Sequence, residues 1–170
     1  MSWTHLHLAL NHIPVVGAPF LLLLLVWGCI HRSRDVIQTA LWWFTGFAVL
    51  AIALKFTGDF ASEEAAERLR PVGEFVTAHE QSADQATTAV FLLGVASAFA
   101  LFLGRKGRPT PSWILGTVLV LGLATTLLMG RAANLGGRIN HPEIRPAGFR
   151  QSGSDTLSDG APSEHGRSAR

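Results

Sequence analysis

Four long stretches of this chain carry no Asp, Glu, Lys or Arg, and short polar connections separate them. They run for eighteen residues from Ile13 to Ile30, nineteen from Val36 to Leu54, eighteen from Ala86 to Leu103 and twenty-two from Pro109 to Gly130. Each is close to the ~20 residues that cross a ~30 Å hydrocarbon layer as an α-helix. As soluble core helices, four such runs would leave almost no polar helix face to cover them. The pattern therefore predicts an all-α fold, a four-helix transmembrane bundle of up-down-up-down order. Its helices are expected near 12–31, 35–57, 72–104 and 111–135, within a membrane domain over residues 1–146. The Ser- and Gly-rich stretch 147–170 reads as a disordered tail.

Local signals refine the boundaries. Pro71 and Pro111 suit first helical positions, and Gly136-Gly137 is expected to end the fourth helix. Pro14 should disturb the backbone near the start of the first helix, because it lacks an N–H and crowds the preceding turn. Residues 59–70, DFASEEAAERLR, predict a short amphipathic helix in the connection between helices two and three, with Ser62 as its N-cap and Glu63 and Glu64 near its positive end. No Lys or Arg precedes the first apolar run, and Trp27 stands where a signal cleavage site needs a small residue, so the first run is expected to be retained.

Composition agrees with a membrane solvent. Of 170 residues, 48% are apolar and only 15% charged, against about 25% charged in a typical soluble domain. The net charge of +2 is not gathered into a basic tract, which argues against nucleic acid as a partner. The first connection carries Arg32 and Arg34 and the third carries Arg105, Lys106 and Arg108, whereas residues 58–85 hold seven acids against Arg68 and Arg70. By the positive-inside tendency the basic connections face the cytoplasm and both termini lie outside. Trp27, Trp42, Trp43 and Trp113 fall toward the cytoplasmic ends, as an interfacial belt would place them. Arg131, Arg138, Arg145 and Arg150 oppose that orientation.

The lone Cys29 excludes an internal disulfide and a CxxC site, and the absence of CxxCH excludes covalent haem attachment. A metal site would have to use histidines and carboxylates. No nucleotide-binding loop, nucleophile elbow or HExxH is present. In the expected bundle, five of seven histidines gather at the outer end: His5, His7, His12, His79 and His141. On a helix, Val72, Phe75, Val76, His79, Ala83, Ala86 and Val90 form one stripe, which turns His79 inward with Glu80 at the stripe's edge. Spacing does not choose between His5 and His7. Each helix pair also begins near a histidine, His12 or His79, and ends near a glycine, Gly58 or Gly136, a two-fold echo within the chain.

HLHLALNHIPVVG near the N-terminus, the pair His79-Glu80 and GGRINHPEIR after the last helix together resemble a family of bacterial four-helix membrane proteins classed as a domain of unknown function. The resemblance spans residues 4–147 and rests on His7, Asn11, His12, Pro14, His79, Glu80, Gly136, Gly137, His141 and Pro142. Related membrane domains are fused to Rieske-type iron-sulfur modules, so the resemblance implies redox chemistry, and a bacterial inner membrane as the location.

Three functions are compatible with these residues. One is a b-type haem near the outer face with axial ligands drawn from His7, His12, His79 and His141, passing electrons between quinone or a membrane enzyme and an external redox protein. A second is a Zn or Cu ion held by three of the same histidines with Glu80 as ligand or general base. The third is a structural or accessory subunit of a membrane complex without a cofactor. A secondary carrier fits less well, because four helices leave little room for the repeated architecture of most carriers.

Overall fold

The computed structural model of the chain describes residues 2–69, 73–141 and 143. It contains four helices, α1 (Trp3–Ile30), α2 (Arg34–Leu69), α3 (Gly73–Leu103) and α4 (Ser112–Asn140). Each is long and apolar enough to cross a membrane. α1 and α3 both pack against α2 and α4, and these four contacts close an up-down-up-down bundle. The core is a column of apolar side chains, among them Ala18, Leu21, Leu25, Leu41, Phe44, Val90, Leu93 and Val118. Phe20, Leu23, Val49, Val95, Val120 and Leu127 point outward and are exposed, which in water would be an untenable apolar surface and in a bilayer is the lipid-facing one. The chain is a multi-pass membrane protein whose outer face contacts lipid.

Glycine notches set how closely the helices approach. A Cβ at Gly94 on α3 would overlap the Ala48 Cβ of α2, and one at Gly17 on α1 would lie 2.6 Å from the Phe47 ring of α2. Ser33 opens α2 by accepting from the Ile37 N–H at 3.1 Å through its carbonyl, after a tight turn in which Arg32 has φ 51°. The longer α3–α4 connection turns at Lys106 and at Gly107, whose φ of 79° is one that glycine adopts without strain. Arg34 ties the two connections by donating to the Gly104 carbonyl at 2.9 Å.

At one end of the bundle α1, α2 and α4 outrun their sequence-based limits, whereas α3 keeps to its own. α1 begins at Trp3 rather than near residue 12, because Ser2 caps it by accepting from the His5 N–H at 3.3 Å. Pro14 and Pro19 lie within α1 without ending it; Pro14 is buried against the neighbouring helices, a setting in which membrane helices tolerate the missing donor. The acidic segment after Gly58 is helical, as a continuation of α2 rather than a separate helix. It is held there by a Trp3–Phe60 ring contact with centroids 4.8 Å apart, by Glu64 accepting from the Thr4 N–H at 3.2 Å and by Ser62 donating to Glu80 at 3.1 Å. Gly136-Gly137 does not end α4, which runs on to Asn140; the Gly137 carbonyl accepts from the His141 N–H at 2.9 Å. Pro71 and the tail expected from residue 147 lie outside the described residues.

Candidate functional site: two histidines on glycine faces

Exposed charges mark where the hydrocarbon layer ends. Lys55 on α2 pairs with Asp59 at 3.2 Å and with Asp84 of α3 at 3.1 Å, and Arg131 of α4 donates to Gln85 of α3 at 3.4 Å. Charged groups facing outward at this level belong to the interface, not the hydrocarbon. Two half-buried histidines sit just within the bundle at or beyond that level.

His7 projects from α1 onto α2. Its ring lies over Gly58, where an added Cβ would come 3.1 Å from the imidazole Cε1. Its Nδ1 is 3.3 Å from the Thr57 hydroxyl, and that hydroxyl donates its one proton to the Leu54 carbonyl at 3.2 Å. With that proton on the Leu54 carbonyl the hydroxyl accepts from His7, which is the arrangement with the proton on Nδ1.

His79 projects from α3 onto α4 in the same manner. Its ring lies over Gly136, where an added Cβ would again come 3.1 Å from Cε1. Its Nδ1 donates to the Ala132 carbonyl at 2.9 Å, since a carbonyl only accepts. Leu54 and Ala132 each stand four residues before the glycine beneath the ring. In their neutral forms both imidazoles thus have a protonated Nδ1 tethered to the neighbouring helix and an Nε2 whose lone pair is free to accept or to ligate. The rings come from the diagonal helices α1 and α3 and lie at the same end of the bundle, over Gly58 and Gly136.

The remaining candidates do not join this pair. His12 is exposed, with Nδ1 bonded at 2.6 Å to the Leu8 carbonyl of its own helix. At 100° per residue it lies about 140° around α1 from His7, so the two cannot share a face. His5 is exposed beside Ser2, 2.7 Å from its hydroxyl; the helix that Ser2 starts turns His7, not His5, toward α2. The extension of α4 past Gly136 carries His141 beyond the pair, where it meets Glu143 at 2.9 Å. Glu80 is exposed and engaged by Ser62. Among the described residues no three His, Cys, Asp or Glu side chains converge on a point that could hold an ion. The arrangement offers two nitrogen ligands, not the three-histidine set with Glu80 that an ion site would use.

The sequence pattern singled out His79 and both glycines, but not the Leu54 and Ala132 acceptors. The signal for these was the hairpin register: once His79 lies over Gly136, the carbonyl four residues earlier comes within its reach. No protein family, curated protein or solved structure matches this chain.

Proposed function

We propose that the chain is a membrane electron carrier that binds one b-type haem between His7 and His79. The observation that supports this reading is the placement of the pair: two imidazoles from opposite helices, each with Nδ1 held against a hydroxyl or backbone oxygen of the neighbouring helix, an arrangement that in the Nδ1-protonated neutral form leaves Nε2 to ligate. That is the state in which histidine ligates iron, and a hydrogen-bonded Nδ1–H raises the basicity of the ligating nitrogen. Nε2 atoms from two sides suit the two axial positions of a haem, whereas a tetrahedral ion needs more donors than the pair supplies. The glycines beneath the rings let each imidazole lie close to its neighbouring helix, and a macrocycle would enter between the rings once the ends of α1 and α3 part to admit it.

With the basic connections inside, the pair faces the outer side of the membrane, within reach of an external redox partner. The acidic helix extension beside it carries Glu63 and Glu64 and would attract a cationic one. A cysteine-reactive, membrane-impermeant reagent tests that orientation: D59C should react in intact cells and G107C only after lysis.

The spectrum of purified protein, expressed with ample haem precursor, tests the function. A Soret band that is lost in both His7→Ala and His79→Ala but kept in His12→Ala and His141→Ala is the expected result. A band that survives the double substitution, or a wild-type protein that stays colourless and takes up no hemin, overturns it. A second reading draws on the same hydrogen bonds: the imidazoles act as tethers in a cofactor-free subunit of a membrane complex. That reading expects colourless protein and a loss of stability on substitution.

A further inference from the structure

The two histidine units are the visible part of a wider correspondence. A shift of 72 residues carries His7 onto His79, and a shift of 78 carries Gly58 onto Gly136 and Leu54 onto Ala132. The first shift carries every buried residue of α1 onto a buried residue of α3: Pro14 onto Ala86, Ala18 onto Val90, Leu21 onto Leu93, Leu25 onto Ser97 and Gly28 onto Ala100. The second carries buried Ala40, Phe47 and Ala51 of α2 onto buried Val118, Thr125 and Met129 of α4. Five of the six residues by which the shifts differ lie in the α3–α4 connection, eight residues long against three in the α1–α2 turn, and the sixth extends α3.

A shared helical period would align buried positions within each helix. It would not align contacts between helices, and these correspond as well. Gly94 of α3 packs on the Phe44 backbone of α2; the shifts carry that pair onto Leu22 of α1 and Gly122 of α4, where Leu22 Cδ1 lies 3.0 Å from a Cβ placed at Gly122. In both cases a glycine notch receives the opposing helix, with the notch on α3 in one and on α4 in the other.

We infer that the chain is one helical hairpin used twice about a two-fold pseudo-axis along the bundle, with His7 on Gly58 and His79 on Gly136 as equivalent half-sites for a ligand lying on that axis. That the ligand is a haem rests on the function proposed above; the equivalence of the halves does not. Gly58 and Gly136 are the positioning residues, because each fixes the height of an imidazole above its helix. Thr57 breaks the equivalence. The shift carries it onto Leu135, so only His7 meets a hydroxyl, while His79 bonds the carbonyl directly.

Full-length protein labelled with nitrogen-15 in histidine tests the equivalence without any cofactor. Both rings should report a protonated Nδ1 and a bare Nε2, with unequal shifts. Thr57→Leu should bring the His7 shifts toward those of His79. The transposed variant T57L/L135T should separate them again with the assignments exchanged. A His79 ring that does not respond to L135T, alone or in the transposed variant, overturns the repeat. Hemin titration then tests the positioning residues. Gly58→Ala and Gly136→Ala should each weaken binding roughly tenfold, the effect of a modest overpacking of about 1.4 kcal/mol, and should perturb the axial-ligand spectrum alike. An effect confined to one glycine refutes equivalent half-sites. A wild-type protein that binds no hemin removes the haem and leaves the nitrogen shifts to decide the repeat.

Discussion

The imidazole of His79 on α3 donates to the carbonyl of Ala132 on α4 across 2.9 Å. That carbonyl sits inside α4, where it also serves the helix ladder, so the histidine occupies its second lone pair. Removing the ring therefore leaves no orphaned acceptor and costs only the net value of one hydrogen bond plus lost packing. His79→Ala should lower unfolding stability in micelles by about 1 kcal/mol. His12→Ala should fall within about 0.5 kcal/mol of wild type, since His12 is exposed and bonds only the Leu8 carbonyl of its own helix. Equal losses in the two variants would contradict the interhelical role of His79.

Glycines divide into notches and free positions, and alanine substitution should separate them by sign. At Gly94 a new methyl meets Ala48 of a neighbouring helix, and both sides of that contact are tightly held. Gly94→Ala should destabilise by about 1–3 kcal/mol through overpacking. At Gly46, Gly116 and Gly130 nothing lies within 4 Å of the added carbon, so each substitution should stabilise by roughly 0.5–1 kcal/mol through helix propensity. Denaturant titration of the four single variants decides it.

Thr125 lies fully buried on α4 with a hydroxyl that has no hydrogen-bond partner among the described residues. Ser82 and Ser97 on α3 share that condition. Small hydroxyl residues let membrane helices approach closely, and the value lies in their size more than in a bond. Thr125→Val keeps the shape and removes the unpaired group, so it should leave stability unchanged or raise it by up to about 1 kcal/mol. A loss above that in thermal unfolding would mean that the hydroxyl has a partner, such as an ordered water.

The apolar runs fixed the number and order of the helices in advance because the bilayer imposes one length on each of them. Helix ends at the site were harder to place, since contacts between elements determine them. Glu64 and Phe60 hold the α2 extension against the start of α1, and Gly136 remains helical because it lies under a ring from α3. Sequence reading gathered five histidines at one end from topology alone. Facing requires the rotation of each helix, and that follows from where the helix starts: Ser2 begins α1 and so sends His7 inward and His12 outward. The two-fold echo was visible in the spacing of His79, Gly58 and Gly136, but with His12 as the fourth member the register did not close.

Lys55 bridges α2 and α3 through Asp59 and Asp84, and about half of each side chain in these pairs is exposed, at 52% for the lysine and 59% and 63% for the two acids. Water at the interface screens such pairs, and holding a long side chain in one geometry offsets much of the attraction. Lys55→Gln should therefore cost less than about 1 kcal/mol at low salt. The difference from wild type should shrink as ionic strength rises and the Debye length falls from about 30 Å at 0.01 M to about 3 Å at 1 M. A cost that is large and insensitive to salt would place the triad inside the hydrocarbon layer instead, and with it the level of the histidine pair. Unfolding measured in nanodiscs at the two salt concentrations distinguishes these outcomes.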